Sequence, residues 1–312
     1  MDFDKYHKYE AALKNAVVAD ALVNGFIDVP YADIVKFVKE EGRFAKYPTS
    51  PLGFLRKGDA SEYVRVMFHV GNQFLDKMPG NFTVDDFGIA LGSWYEDFEK
   101  ELRYPDSSLL NFGFYIKRGA AVEDAIRDSF VAAVIFPAII PALYFIEDPE
   151  TLVEVAMFFA SNFTSMEDVW KGVAYYLTAM HLVWDGLTPA QCLDNFAESS
   201  TGMWRDYFRR ARAFLKDPDW EKIDVMIGND ESIYSAVPLS LVVASSASDS
   251  AEFEDKMYRI ASDVGADLPA VAILSGVLIG LGGKELKFDE DVEFEYSSMA
   301  WKIANMLAEK EE

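Results

Sequence analysis

A chain of 312 residues, 51% hydrophobic and 14% aromatic, carries enough apolar surface to bury a large core, which excludes a disordered polymer. Its formal net charge of −23 repels phosphate backbones and anionic lipid heads, so no nucleic acid and no membrane surface is expected as a partner. One cysteine, Cys192, excludes an intrachain disulfide and fits a reducing, cytoplasmic setting; between TPAQ and LDNF it reads as a small helix-packing hydrophobe.

The N-terminal stretch MDFDKYHKYEAALKNAVV has no basic segment leading into an apolar one, so no signal peptide is expected. Three- and four-residue apolar spacing predicts a helix from Asp4 to Val23, a short second helix from Tyr31 to Glu41, and a Pro- and Gly-rich loop from Tyr47 to Gly58. A helix follows from Ala60 to Asp76 with Asp59 at its N-cap, and Thr83-Val84-Asp85-Asp86 has the form of a capping box opening the next. Ser107 to Arg118, Val122 to Ile146 and Pro149 to Asn162 continue the series, the last opened by Asp148-Pro149-Glu150. The uncharged run from Phe130 to Ile146 is short for a span and holds Pro137 and Pro141, so a central helix buried by other helices is expected there.

Met166 to Asp185, Pro189 to Ala197 (capped at Thr188) and Met203 to Leu215 come next. Arg205, Arg209, Arg210 and Arg212 on the last of these read as a solvated face paired with local acids. After a polar, turn-rich stretch from Lys216 to Asp230 come helices over Ser232 to Ala247, Ser250 to Val264 and Leu268 to Leu281. Lys284 to Tyr296 alternates as one short extended piece, and Ser297 to Lys310 closes the chain as a helix. With no recurring strand pattern and no linker, the expectation is an all-α protein, a single large domain over 1–312 with buried central helices.

Most chemical motifs fail on context. Gly280-Leu281-Gly282-Gly283 closes a helix rather than opening one after a strand, so it is a stop and not a phosphate loop. His69 and His181 sit on apolar helices as core histidines, and no H-E-x-x-H, G-x-S-x-G or paired C-x-x-C occurs. Three aspartates stand out. Asp59 before Ala60-Ser61-Glu62 and Asp267 before Leu268-Pro269-Ala270 both suit helix N-caps, whereas Asp20 lies inside an apolar helix, where a carboxylate is costly unless bonded.

Taken in order, these segments resemble the ADP-ribosylglycohydrolase family over most of the chain. Ala19-Asp20-Ala21-Leu22-Val23 stands where the family has G-D-A-L-G, and Gly58-Asp59-Ala60-Ser61 where it has T-D-D-T. Asp85-Asp86 with Trp94-Tyr95 matches an acid-rich helix start with a tryptophan, and Pro137 keeps the proline of an R-x-x-P element whose arginine is Val134 here. Asp148-Pro149-Glu150 matches a D-P-E opening, and Ser161-Asn162 replaces a T-H ending. Gly265-Ala266-Asp267-Leu268-Pro269-Ala270 stands where G-G-D-x-D-T belongs, with Gly276 beyond it.

The resemblance implies an all-α fold and chemistry on ADP-ribose or ADP-ribosylated substrates, with two magnesium ions orienting the sugar and a water. It places Asp59, Ser61 and Asp267 as metal ligands, Asp59 and Asp267 as catalytic carboxylates, and Asp20 and Asn162 on the substrate side. Ala60, Pro269 and Ala270 supply no ligand, so a single, largely water-bound magnesium is the most the boxes imply. Two functions follow as expectations: hydrolysis of an ADP-ribose N- or O-glycosidic bond at a reduced magnesium site, or a noncatalytic relative that binds a ligand or a protein partner.

Overall fold

The protein was analysed as a computed structural model that describes residues 3–23, 32, 33, 36, 58–77, 79–100, 107–228, 230–260, 267–287 and 292–310. The second helix expected from Tyr31 to Glu41, most of the loop from Tyr47 to Gly58, and the Gly265-Ala266 pair lie outside the described residues. Among the described residues there are fifteen α-helices and no strand, only two isolated bridges, Arg127 with Thr164 and Val131 with Ser232.

The first half of the chain gives α1 (Phe3–Val23), α2 (Glu62–Asp76), α3 (Val84–Lys100), α4 (Ser107–Lys117), the single turn α5 (Val122–Ala125), α6 (Phe136–Tyr144) and α7 (Pro149–Ser161). The second half gives α8 (Glu167–Trp184), α9 (Pro189–Ser199), α10 (Gly202–Lys216), the short α11 (Ile223–Met226), α12 (Ile233–Ser246), α13 (Ser250–Ile260), α14 (Leu268–Leu281) and α15 (Ser297–Glu309).

Several starts follow from local chemistry. Thr83 and Asp86 exchange the capping-box bonds that open α3, at 3.0 and 3.2 Å. Asp148 accepts the N–H groups of Glu150 and Thr151 ahead of α7, and Thr188 forms a reciprocal box with Gln191 ahead of α9. The basic face of α10 is held locally: Arg205 and Arg209 donate to the carbonyls of Ser200 and Ala197 at the end of α9, and Arg212 pairs with Glu198.

The long helix expected from Val122 to Ile146 is broken. After α5 the chain runs extended past Ser129, which exchanges hydrogen bonds with the Thr164 hydroxyl, then makes a 3₁₀ turn at Ala132–Ile135 and restarts as α6. Pro137 explains the restart. Deep in a continuous helix its ring would meet the carbonyl four residues back, whereas as the second residue of α6 its missing N–H costs nothing.

α14 forms the middle of the core; every residue from Leu268 to Leu281 is buried. α1 packs along it more extensively than any other pair of helices, at a separation that only glycine permits. A Cβ on Gly276 would lie 2.7 Å from the Asn15 carbonyl oxygen, and one on Gly280 would lie 2.3 Å from the Ala12 nitrogen. The buried Asn15 side chain completes the pair: its amide donates to the Lys284 carbonyl and its oxygen accepts from Leu286 N–H, fixing the chain as it leaves α14. α12 and α6 extend this inner layer, α12 against α14 and α6 against α2. α7–α8, α9–α10, α3–α4 and α15 pack around it.

Candidate functional site

The far half of α1, the start of α2 and the start of α14 converge at one place, and three of the expected site residues meet there. Asp20 is fully buried on α1, and its Oδ2 accepts the backbone N–H of Ser61 at 2.6 Å. Ser61, rather than Asp59, is the N-cap of α2, and its own side chain makes no capping bond. The N-cap role expected of Asp59 is thus a correction: α2 opens two residues later, and its cap comes from a carboxylate on another helix. Asp59 sits partly exposed just before it.

Asp267 does cap α14, with Oδ1 accepting from Ala270 N–H at 3.2 Å. Its Oδ2 accepts a hydrogen bond from the Tyr63 hydroxyl at 2.9 Å. Tyr63 is aimed by stacking on Phe136 at 4.4 Å between ring centroids. Asn162, by contrast, ends α7 as its C-cap, its amide donating to the Phe158 carbonyl at 2.8 Å, and takes no part in the Ser61–Asp20 or the Tyr63–Asp267 hydrogen bond.

A second buried polar cluster lies along α2. The Glu62 carboxylate takes one bond from Arg65 Nη1 at 3.2 Å and another from the Trp94 indole N–H at 2.7 Å. Glu295 closes the entry to α2 from the C-terminal side: its carboxylate accepts Ala60 N–H at 3.0 Å, and its backbone N–H donates to the Gly58 carbonyl at 2.9 Å. Gly58 has φ of +82°, and a Cβ there would lie 2.4 Å from the Glu293 carbonyl oxygen, so the contact requires glycine.

Burial dominates the electrostatics of this region. It pushes the Asp20 carboxyl up to about 7, against the lowering effect of the Ser61 N–H. Asp20 Oδ1 and the Ser61 hydroxyl are both buried without a well-formed hydrogen bond among the described residues, and the Ser61 side chain joins its N–H in lowering the Asp20 pKa. The other reactive groups of the chain are quiet. Burial pushes the Cys192 thiol up to about 12, His181 Nδ1 is 2.8 Å from the Ile146 carbonyl oxygen, and burial lowers the pKa of His69.

A pair of magnesium ions needs several open carboxylate oxygens close together to offset the repulsion between the ions. Here both oxygens of Asp267 already accept hydrogen bonds within the fold, and Asp20 is held toward its protonated form. Among the described residues no group of three or more His, Cys, Asp or Glu side chains is placed to hold a metal ion. The donor set does not fit a two-magnesium centre. What stays open is smaller: Asp20 Oδ1 and Ser61 Oγ.

Tyr63, Glu62, Trp94 and Glu295 were not singled out as site residues from sequence. Glu62 and Arg65, three apart in the apolar first half of α2, carry a readable signal. Tyr63 carried none, because a helical tyrosine is indistinguishable from a core aromatic until its partner is known.

No protein-family model matches the chain, and no curated protein matches its sequence. Among solved structures it is similar to an "ADP-ribosylglycohydrolase-related protein complex", with a TM-score of 0.66 over 97% of this chain and 98% of that one, at 14% identity. At that identity the likeness shows the fold: this is an ADP-ribosylglycohydrolase-like all-α architecture. No helix among the described residues is long and apolar enough to cross a membrane.

Proposed function

We propose that the chain is a noncatalytic relative within this fold, which acts by binding a protein partner. One observation carries the reading. The two oxygens of Asp267, the carboxylate standing in the second metal box, are both engaged in holding the fold together, one on Ala270 N–H and the other on the Tyr63 hydroxyl. Each of these bonds takes one of the lone-pair directions of its oxygen, which leaves less of the carboxylate to face a ligand. The similar solved structure is described as a complex, which agrees with a role exercised in an assembly.

A second reading is favoured by a different observation, the open, buried oxygens of Asp20 and Ser61. In it the chain hydrolyses an ADP-ribose N- or O-glycosidic bond at a reduced magnesium site, with Asp59, Ser61 and Asp267 on the metal side and Asp20 and Asn162 on the substrate side. Asp267 would ligate through a second lone pair of an oxygen that also accepts from Tyr63 or Ala270.

Isothermal titration of the full chain with magnesium and with manganese, each with and without ADP-ribose, separates the two. The proposed function expects no saturable metal heat in any arm. Stoichiometric metal binding that tightens with ADP-ribose, and is lost in Asp20→Asn, overturns it in favour of the hydrolase.

A further inference from the structure

A groove of about 650 Å³ runs along an outer face of α3, well separated in the helix register from Trp94 and its bond to Glu62. Asp85, Gly88, Gly92 and Glu96 line one wall at three- and four-residue spacings, so they share a single helix face. The opposite wall is Ile116 near the end of α4 and Val122 at the start of α5.

The floor is backbone. A Cβ on Gly92 would meet only Ile116 Cγ2, at 3.6 Å, an ordinary contact, so packing within the fold does not demand glycine there. The absent side chain leaves backbone bare along the groove instead. At its lip Ile89 is 61% exposed, a costly position for a large aliphatic side chain with nothing over it.

Both ends of the groove are acidic. Asp85 and Glu96 are exposed, and neither forms an ion pair among the described residues. The cations nearby are occupied: Lys77 with Asp86 at 3.0 Å, Lys100 with Asp97 at 2.9 Å, Lys117 with Glu99, and the Arg118 guanidinium over the Phe114 ring at 4.1 Å. The two exposed carboxylates lie eleven residues apart on one helix, about 16 Å along its axis.

We propose that this groove receives an amphipathic helix from a protein partner, whose apolar seam lies on Gly88, Gly92 and Ile89 and whose Lys or Arg residues, about three turns apart, face Asp85 and Glu96. Charge selects this occupant. A chain of net charge −23 repels acidic helices and attracts basic ones at long range, and the two end carboxylates fix the register once the seam is buried. The inference names the surface and the partner chemistry of the interaction role proposed above, and rests on that role.

The test is a display library of helical peptides with variable seam and flanking positions, selected on the full-length protein and counter-selected on Gly92→Leu, which fills the floor. The expected result is enrichment of peptides with an apolar seam and a basic residue near each end. Such peptides should bind at least tenfold more weakly to Gly92→Leu and to Asp85→Lys/Glu96→Lys, and peptides with acidic ends should recover binding to the charge-reversed variant. Circular dichroism melts establish that each variant is folded, and Ile89→Lys, at an exposed position, repeats the test should Gly92→Leu not fold. Enriched peptides that bind wild type and groove variants alike overturn the groove while leaving an interaction role elsewhere intact. No enrichment of any helical peptide overturns the groove, and the metal titrations then decide the function independently.

Discussion

Asp20 Oδ2 accepts the backbone N–H of Ser61 at 2.6 Å, so the N-cap residue of α2 is bonded by a carboxylate 41 positions earlier, on a different helix. A carboxylate in the middle of an apolar helix is costly on its own. Here it serves as the joint between α1 and α2, and the cost shows as the rise of its pKa to about 7.

The pH dependence of stability follows from that rise. The native state keeps a proton on Asp20 that the unfolded chain has released between pH about 4 and about 7. The contribution of this group to stability therefore falls as pH rises through that window and is level above it. Asp20→Asn removes the titration while keeping an oxygen acceptor for Ser61. Relative to wild type, the variant should gain on the order of a few kcal/mol between pH 4.5 and pH 8. Urea unfolding at the two pH values measures the change, and a constant difference between variant and wild type would refute the buried, protonated Asp20.

Tyr63→Phe keeps the ring stacked on Phe136 and removes only the hydroxyl donated to Asp267 Oδ2. Leaving that acceptor short of a bond in a buried setting should cost about 1–3 kcal/mol. The cap bond from Ala270 N–H to Asp267 Oδ1 is untouched by the substitution. With Asp267 as a structural residue, the variant is less stable and still binds no divalent ion. Magnesium or manganese binding that appears in Tyr63→Phe and is absent from wild type would show instead that tyrosine masks a competent ligand.

The legibility of this fold in the sequence differed from residue to residue for physical reasons. Local signals were readable wherever the partner lay within one turn: the boxes at Thr83 and Thr188, the cap at Asp148, and Asp267 with Pro269 at the start of α14. Asp59 misled because its sequence suits a cap, but the capping carboxylate comes from α1, and pairing across the chain leaves no local trace. The break between α5 and α6 was signalled by Pro137, but the apolar run around it masked the change of backbone. Asp20, Ser61 and Asp267 stand out in the sequence by their resemblance to box positions, whereas the groove on α3 is hidden, since Gly88 and Gly92 look like weak helix formers until the opposite wall is known.

The closeness of α1 and α14 gives a packing prediction. Gly280→Ala puts a methyl group 2.3 Å from a backbone nitrogen that cannot rotate away, so the helices must separate. The expected loss is about 1–3 kcal/mol or more, with a lowered midpoint in thermal or urea unfolding. Gly92→Ala makes the same chemical change on an outer helix against a contact at 3.6 Å, and should be neutral to stabilising by up to about 1 kcal/mol through helix propensity. Equal effects of the two substitutions would contradict the packing described.

Glu62 offers the sharpest test of the buried polar cluster on α2. Its carboxylate is 1% exposed, holds the Arg65 guanidinium and accepts the Trp94 indole N–H. A buried ion pair contributes little net stability, because desolvation opposes the attraction, but removing one member strands the other. Glu62→Ala leaves the buried Arg65 charge without this carboxylate and opens a cavity, and should cost about 3–5 kcal/mol. Glu62→Gln keeps the shape and an acceptor for the indole, so its loss should be smaller, and pairing it with Arg65→Met should restore part of it by removing the buried cation that the carboxylate offset. Urea unfolding of the single and double variants measures the coupling. If the double variant is as unstable as the sum of its parts, Glu62 acts through Trp94 alone and the Arg65 contact is incidental.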